Sequence, residues 1–187
     1  MKQSLLGAVC LSLAASLWGG MYVVSKYVLD FIPPLTLVWF RYVVAFVVLY
    51  AILKTIQVKS KTRETIQKKD WLLLGWIGFI GYFVSIAFQF IGTKLSDAHT
   101  GSLITSATPA FMVVFATLIL KEKLTGRKVI SVILATIGVI IVIGWDTKAG
   151  DYFLGSMILV GAAITWALLS IYVKIASARF TSLTITT

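Results

Sequence analysis

Six apolar runs, each near the length of a membrane-crossing helix, leave this chain few ways to fold. A helix needs about 20 predominantly apolar residues to cross the hydrocarbon core, and within lipid a helix satisfies its own backbone hydrogen bonds. The runs lie at roughly 5–29, 35–53, 71–92, 98–120, 129–145 and 153–176, and residues 181–187 read as the opening of a seventh. The expectation is an all-α, polytopic membrane helix bundle. Composition agrees: 59% of the 187 residues are hydrophobic and only 13% are charged, too little polar surface for a water-soluble domain. Met1-Lys2 and the apolar stretch after it resemble a signal peptide. That stretch continues too far and ends in "FIPP", so it reads as a retained first helix.

The formal net charge of +10 raises the question of nucleic acid, but the cations sit in short segments between apolar runs. There they orient helices and form no basic, solvated domain, so no nucleic-acid partner is expected. Of the 17 Lys and Arg, Lys94 and Lys148 fall in loops on one side and Lys26 and Arg41 near or within the membrane. The remaining thirteen, Lys2 through Arg179, fall on the other side, which the positive-inside rule makes cytoplasmic. The N-terminus is expected inside, in an inner or plasma membrane. Cys10 and His99 are the only residues of their types, so no disulfide, metal site or cofactor is expected. No nucleotide-binding signature appears.

Two segments echo each other. "WGGMYVVSKYVL" starts at Trp18 and "WALLSIYVK" at Trp166, and each places a lysine eight positions after its tryptophan, Lys26 and Lys174. The offset of 148 separates the copies by an odd number of spans, so the second copy enters the membrane inverted. Inverted repeats are a construction of secondary transporters, with the substrate site between the halves. Residues 1–145 then form a first five-helix repeat, and 153–187 hold the first helix of a second. By that logic a complete second repeat would extend to about position 293, so the chain reads as truncated, with a second repeat or partner helices needed for a complete pathway.

Three segments resemble the drug/metabolite transporter superfamily, specifically its EamA-type repeat. They are "SLWGGMYVVSK", "PPLTLVWFRYVVA" and "TSATPAFMVVFATLILKEKLTGRKVISVILATIGVIIV", the last with a mid-helix proline, a Glu before Leu-Thr and a glycine in the next helix. The resemblance implies ten helices in two inverted repeats, and family-motif structural roles for Glu122 and Gly138.

Candidate pathway residues follow from polar and aromatic groups within spans. Trp18, Tyr22 and Lys26 share a stripe of the first helix, and Trp166, Ser170 and Lys174 repeat that spacing. Lys26 stands about 32 Å along its helix, where it either snorkels beside Asp30 or lines an outer mouth. Arg41 lies deeper, so a partner or water-filled cavity is expected. Tyr82 and Gln89 share a stripe with Gly78 and Ser85, while Gly75, Gly78 and Gly81 are expected to allow close helix contact. Thr105 and Pro109 line one side of the fourth helix with Gly101 and Thr108, and Pro109 is expected to kink it. Glu122 sits among lysines at a cytoplasmic end, where charge balance suits it better than proton carriage.

These features describe an integral membrane secondary transporter of a small metabolite or drug, working outward by alternating access. Amino acids, purines, sugars and cationic drugs all suit an aromatic, lightly cationic pocket. A non-transporting membrane subunit is one alternative. A membrane-embedded enzyme would need acids, bases or histidines clustered at one interface, and here the acidic residues are scattered through loops.

Overall fold

A backbone N–H or C=O left unpaired in hydrocarbon costs several kcal/mol, so apolar runs of this length close their hydrogen bonds within themselves. The computed structural model describes residues 2–60, 67–143 and 150–186, and every regular element among them is helical. Helices α1 (Lys2–Leu29) and α2 (Pro34–Ser60) are joined by a tight turn. The third span is built from α3 (Lys68–Trp76), a π-helical stretch (Ile77–Val84) and α4 (Ser85–Leu95). The fourth combines α5 (Ala98–Ser106) and α6 (Thr108–Ile119), followed by α7 (Gly126–Ile143), α8 (Gly150–Ala176) and the short α9 (Ser182–Thr186).

Among the described residues, five helical stretches are long and apolar enough to cross a membrane: Leu5–Leu29, Pro34–Ile56, Lys68–Leu95, Ala98–Ile119 and Gly150–Ala176. The fifth apolar run forms α7, whose far end meets residues 144–149, outside the described ones. Lys61, Arg63 and Lys148, which enter the charge asymmetry, also lie outside them. Helix α2 runs on past position 53, through "LKTIQVKS", where Leu, Lys and Gln are good helix formers.

The bundle is organised around α8. In its apolar window 44% of residues are buried inside the protein, against 6% in α1 and in α2. Helix α8 packs most extensively on α4, then on α6, the π-helical stretch and α5. Small residues permit the closest crossing. A Cβ at Gly92 would stand 2.8 Å from the Gly155 carbonyl oxygen, and one at Gly155 would stand 2.9 Å from that of Gly92. Gly81 lies directly against the Leu169 side chain, whereas Gly75 and Gly78 face open space. Of the three glycines expected to mediate packing, Gly81 alone does so within this chain. Gly138 on α7 likewise has open space around it.

Two apolar clusters lock the ends of this arrangement. Leu29, Val38, Ile86, Ala87 and Phe90 join the α1–α2 turn to α4. Ile77, Leu169, Ala176, Phe180 and Ile185 join the π-helical stretch to the far end of α8 and to α9. Trp166 packs against both clusters.

Candidate functional site

The fourth span breaks at Ala107, as Pro109 dictates. Proline has no N–H to donate to the Thr105 carbonyl four residues back, and the Thr108 hydroxyl takes over that carbonyl at 2.6 Å. The break turns Thr105, Thr108 and Pro109 toward a half-open cavity of about 250 Å³. Trp18 and Tyr22 of α1, Ser85 and Gln89 of α4, Met112 of α6, and Ala162, Trp166 and Ser170 of α8 complete its lining. Seven of the eleven candidate pathway residues thus meet around one space, Trp18, Tyr22, Gln89, Thr105, Pro109, Trp166 and Ser170, together with their stripe neighbours Ser85 and Thr108.

Aromatic rings form the apolar wall. The Trp18 and Trp166 centroids are 5.0 Å apart with planes tilted by 52°, and Tyr82, itself outside the lining, meets Trp166 edge-on at 6.2 Å. Tyr22 is buried against Gly101, where a Cβ would come within 3.1 Å of its ring. Gly101 therefore permits the approach that brings the Tyr22 hydroxyl to 2.6 Å from Thr105 Oγ1. Thr105 donates its own proton to the Gly101 carbonyl at 2.7 Å, so Tyr22 is the donor in that pair. Ser170 donates to the Trp166 carbonyl at 3.0 Å.

Two polar groups in the lining are left over. Ser85 is 2% exposed and Gln89 4% exposed, yet neither Ser85 Oγ nor Gln89 Nε2 has a hydrogen-bond partner among the described residues. Leaving such a group unpaired costs about 1–3 kcal/mol. Both stand just after the π-helical stretch, a feature frequent at functional sites. Widening the helix there breaks the expected stripe: Gly78 faces outward while Ser85 and Gln89 face the cavity. The glycine-rich apolar sequence of this segment carries no signal for a π-turn.

The cations expected near the pathway stand elsewhere. Lys26 donates to the carbonyls of Thr93, Lys94 and Ser96 at 3.1, 2.9 and 3.0 Å, closing the C-terminal end of α4. Those carbonyls, and not Asp30, are its partners. A cation there also complements the negative end of the helix dipole. Arg41 donates to Met21 Sδ at 3.2 Å and lies 5.2 Å from the Phe90 ring centroid. Lys174 is an exposed partner of Glu122 at 3.0 Å, and Lys128 holds the other carboxylate oxygen at 3.0 Å. None of these lysines, nor Arg41, lines the cavity, so among the described residues the wall is aromatic and polar without a charged side chain. Lys26, Arg41 and Lys174 thus fall outside the lining that this chain supplies.

Polar contacts at the helix ends pin the frame. Asp97 caps α5, accepting from the Thr100 N–H at 2.8 Å and from the Thr100 hydroxyl at 2.9 Å. Partial burial pushes the Asp97 carboxyl up, but the Thr100 and His99 hydrogen bonds outweigh it and hold the group below its ordinary range. Tyr152 at the start of α8 hydrogen-bonds the same Thr100 hydroxyl at 2.7 Å. At the opposite end of α8, Arg179 pairs with the buried carboxylate of Asp70, and the Gln67 N–H donates to that carboxylate at 2.9 Å.

Comparison with known proteins agrees with this membrane architecture. The chain is 26% identical to an uncharacterized inner membrane transporter, YhbE of Escherichia coli (strain K12), over 97% of this chain and 58% of that protein. It is 27% identical to an uncharacterized transporter, YetK of Bacillus subtilis (strain 168), over 100% of this chain and 57% of that protein. The chain thus spans a little over half the length of these curated relatives. No solved structure gives a significant match. The EamA-like transporter family model matches residues 5–144, the helices that bring Trp18, Tyr22, Gln89 and Thr105 together, and this multi-pass membrane chain belongs to that family.

Proposed function

We propose that the whole protein is a secondary transporter that moves a small metabolite outward by alternating access, with its N-terminus in the cytoplasm. In this reading residues 1–145 are one five-helix repeat and α8 opens an inverted second one. The observation that carries the reading is the half-open cavity, lined by two residues, Ser85 and Gln89, whose buried polar atoms have no partner among the described residues. Its position supports the repeat geometry as well. Trp18 and Trp166 are equivalent under the 148-residue offset, and their rings lie 5.0 Å apart. Residues related by a two-fold axis touch only near that axis, and a substrate site between inverted repeats straddles it. The outward direction rests on the family resemblance alone.

An enzyme would need an acid, base or activated nucleophile at the cavity. The lining offers hydroxyls engaged with backbone carbonyls or with one another, or, at Ser85, left without a partner among the described residues. None of the lining residues is a carboxylate, a histidine or a lysine that could act as their base.

The whole protein in proteoliposomes should exchange a labelled small metabolite saturably, assayed over amino acids, nucleosides and sugars. Trp166→Ala should abolish that exchange. Residues 1–187 reconstituted alone should give none above empty liposomes, because the cavity is completed by the second repeat. Exchange that survives Trp166→Ala unchanged would sink the cavity as the pathway. Orientation has its own check in a Cys10→Ser background. Asp151→Cys should react with impermeant maleimide in intact cells and Lys123→Cys only after lysis; the reverse pattern overturns the inverted geometry.

A further inference from the structure

The cavity's chemistry narrows what it can hold. A charged ligand entering a low-dielectric site needs a counter-charge or a full set of hydrogen bonds there. Among the described residues this wall has no carboxylate, imidazole, ammonium or guanidinium group, and two cations of the neighbouring helices are committed: Lys26 to three carbonyls, and Arg41 to Met21 and the Phe90 ring. The wall does have a surplus of unmet hydrogen-bonding capacity at Gln89 and Ser85. A glutamine side chain presents a carbonyl acceptor and an NH₂ donor side by side, which match an amide or a ring N–H/C=O edge on a ligand. Trp18 and Trp166 line the same space, and their aromatic rings favour a flat, π-rich body. At about 250 Å³ the space is slightly below the usual ligand-pocket range of roughly 300–1,000 Å³, which favours a small molecule.

We infer that the cavity takes a small, planar, uncharged molecule bearing an amide-like donor–acceptor edge, read by Gln89 and Ser85 and stacked on the tryptophan pair. The inference rests on the cavity being the transporter's substrate site, and on the second repeat adding no charged side chain to it. Gln89 is then a specificity-determining residue. Replacing its NH₂ by a carboxylate oxygen should change which ligand charge is accepted without changing the cavity's shape.

Three molecules of nearly one shape test this: nicotinamide, neutral with a planar carboxamide; nicotinate, its anionic counterpart; and 1-methylnicotinamide, a fixed cation. Equilibrium binding to the purified whole protein is measured first, and counterflow in proteoliposomes second. Nicotinamide should bind at least tenfold more tightly than either charged analogue. Gln89→Leu should reduce nicotinamide binding at least tenfold, and Gln89→Glu should reverse the preference toward 1-methylnicotinamide. Size-exclusion profiles of both variants establish that they remain folded, and Gln89→Asn, which keeps the amide, should retain the neutral preference if Gln89→Leu fails to fold. Failure of nicotinamide to bind, or tighter binding of either charged analogue, overturns the ligand assignment. Binding with the expected preference but no counterflow leaves that assignment standing and overturns the transport reading instead. Counterflow led by a charged analogue does the opposite.

Discussion

Lys26 and Lys174 occupy matching places in the two echoed segments, and the protein uses them in opposite ways. Lys26 is partly buried and donates to three backbone carbonyls at the end of α4. The Lys174 side chain is 65% exposed and meets a single carboxylate oxygen of Glu122. One lysine closes a helix; the other makes a surface ion pair. The repeat sets the position of a cation along its helix, but its partner depends on which piece of chain arrives there. At Lys26 that piece is the C-terminus of α4, rich in unpaired carbonyls. At Lys174 it is the loop between α6 and α7, which brings Glu122, an acid also paired with Lys128 in the first turn of α7. In both places the charge is engaged at an end of the bundle, and the cavity between them is left without one.

The largest effect is expected where the contrast is sharpest. Lys26→Met removes all three donors and leaves the α4 carbonyls to find other partners, a loss of about 2 kcal/mol judged from charged hydrogen bonds and helix-end interactions. It should appear as a clear drop in the melting temperature of the purified protein, with transport falling alongside. An unchanged melting temperature would reduce Lys26 to a snorkelling lysine.

Arg41→Gln should cost less. Its partners are a thioether and an aromatic face, and a cation over a ring contributes about 0.5–2 kcal/mol depending on desolvation. Depth in the membrane alone ranks Arg41 ahead of Lys26, whereas the contacts rank Lys26 ahead. Melting the two mutants side by side decides between depth and partner count, and a greater loss at Arg41 refutes the ranking by contacts.

What the sequence made legible follows from the same distinction. Apolar length located five of the six expected spans, and helical spacing placed Trp18 with Tyr22 and Trp166 with Ser170, because these depend on one helix at a time. Pro109 marked the break in the fourth span for the same reason. The partners of Lys26 were not legible, since backbone carbonyls leave no mark in a sequence. Neither was the π-helical stretch at Ile77–Val84, whose apolar residues and glycines suit an α-helix equally well. Without that turn the facing of Ser85 and Gln89 cannot be fixed from spacing. Met112 and Ala162 joined the cavity as ordinary apolar residues that only tertiary packing could single out.

The smallest effect belongs to the exposed end. Lys174 and Lys128 hydrogen-bond the Glu122 carboxylate and hold it below its ordinary range. A carboxyl depressed in the folded state contributes stability that is fully present above the unfolded value, about 4.3 for Glu. That contribution is lost as the pH falls through the folded value. Glu122→Gln should therefore lower the melting temperature slightly and by a constant amount from about pH 8 to pH 5, and the difference should shrink below about pH 4. Strong salt should shrink it too, since exposed pairs are screened. The same depression bears on transport. A group ionised throughout the neutral range cannot exchange protons as the pH moves there, so Glu122→Gln should leave the pH profile of flux unshifted between about pH 5 and pH 8. A profile that moves with this substitution would make Glu122 a proton carrier and end the contrast with Lys26, because the surface pair would then be part of the transport cycle rather than a brace for α8.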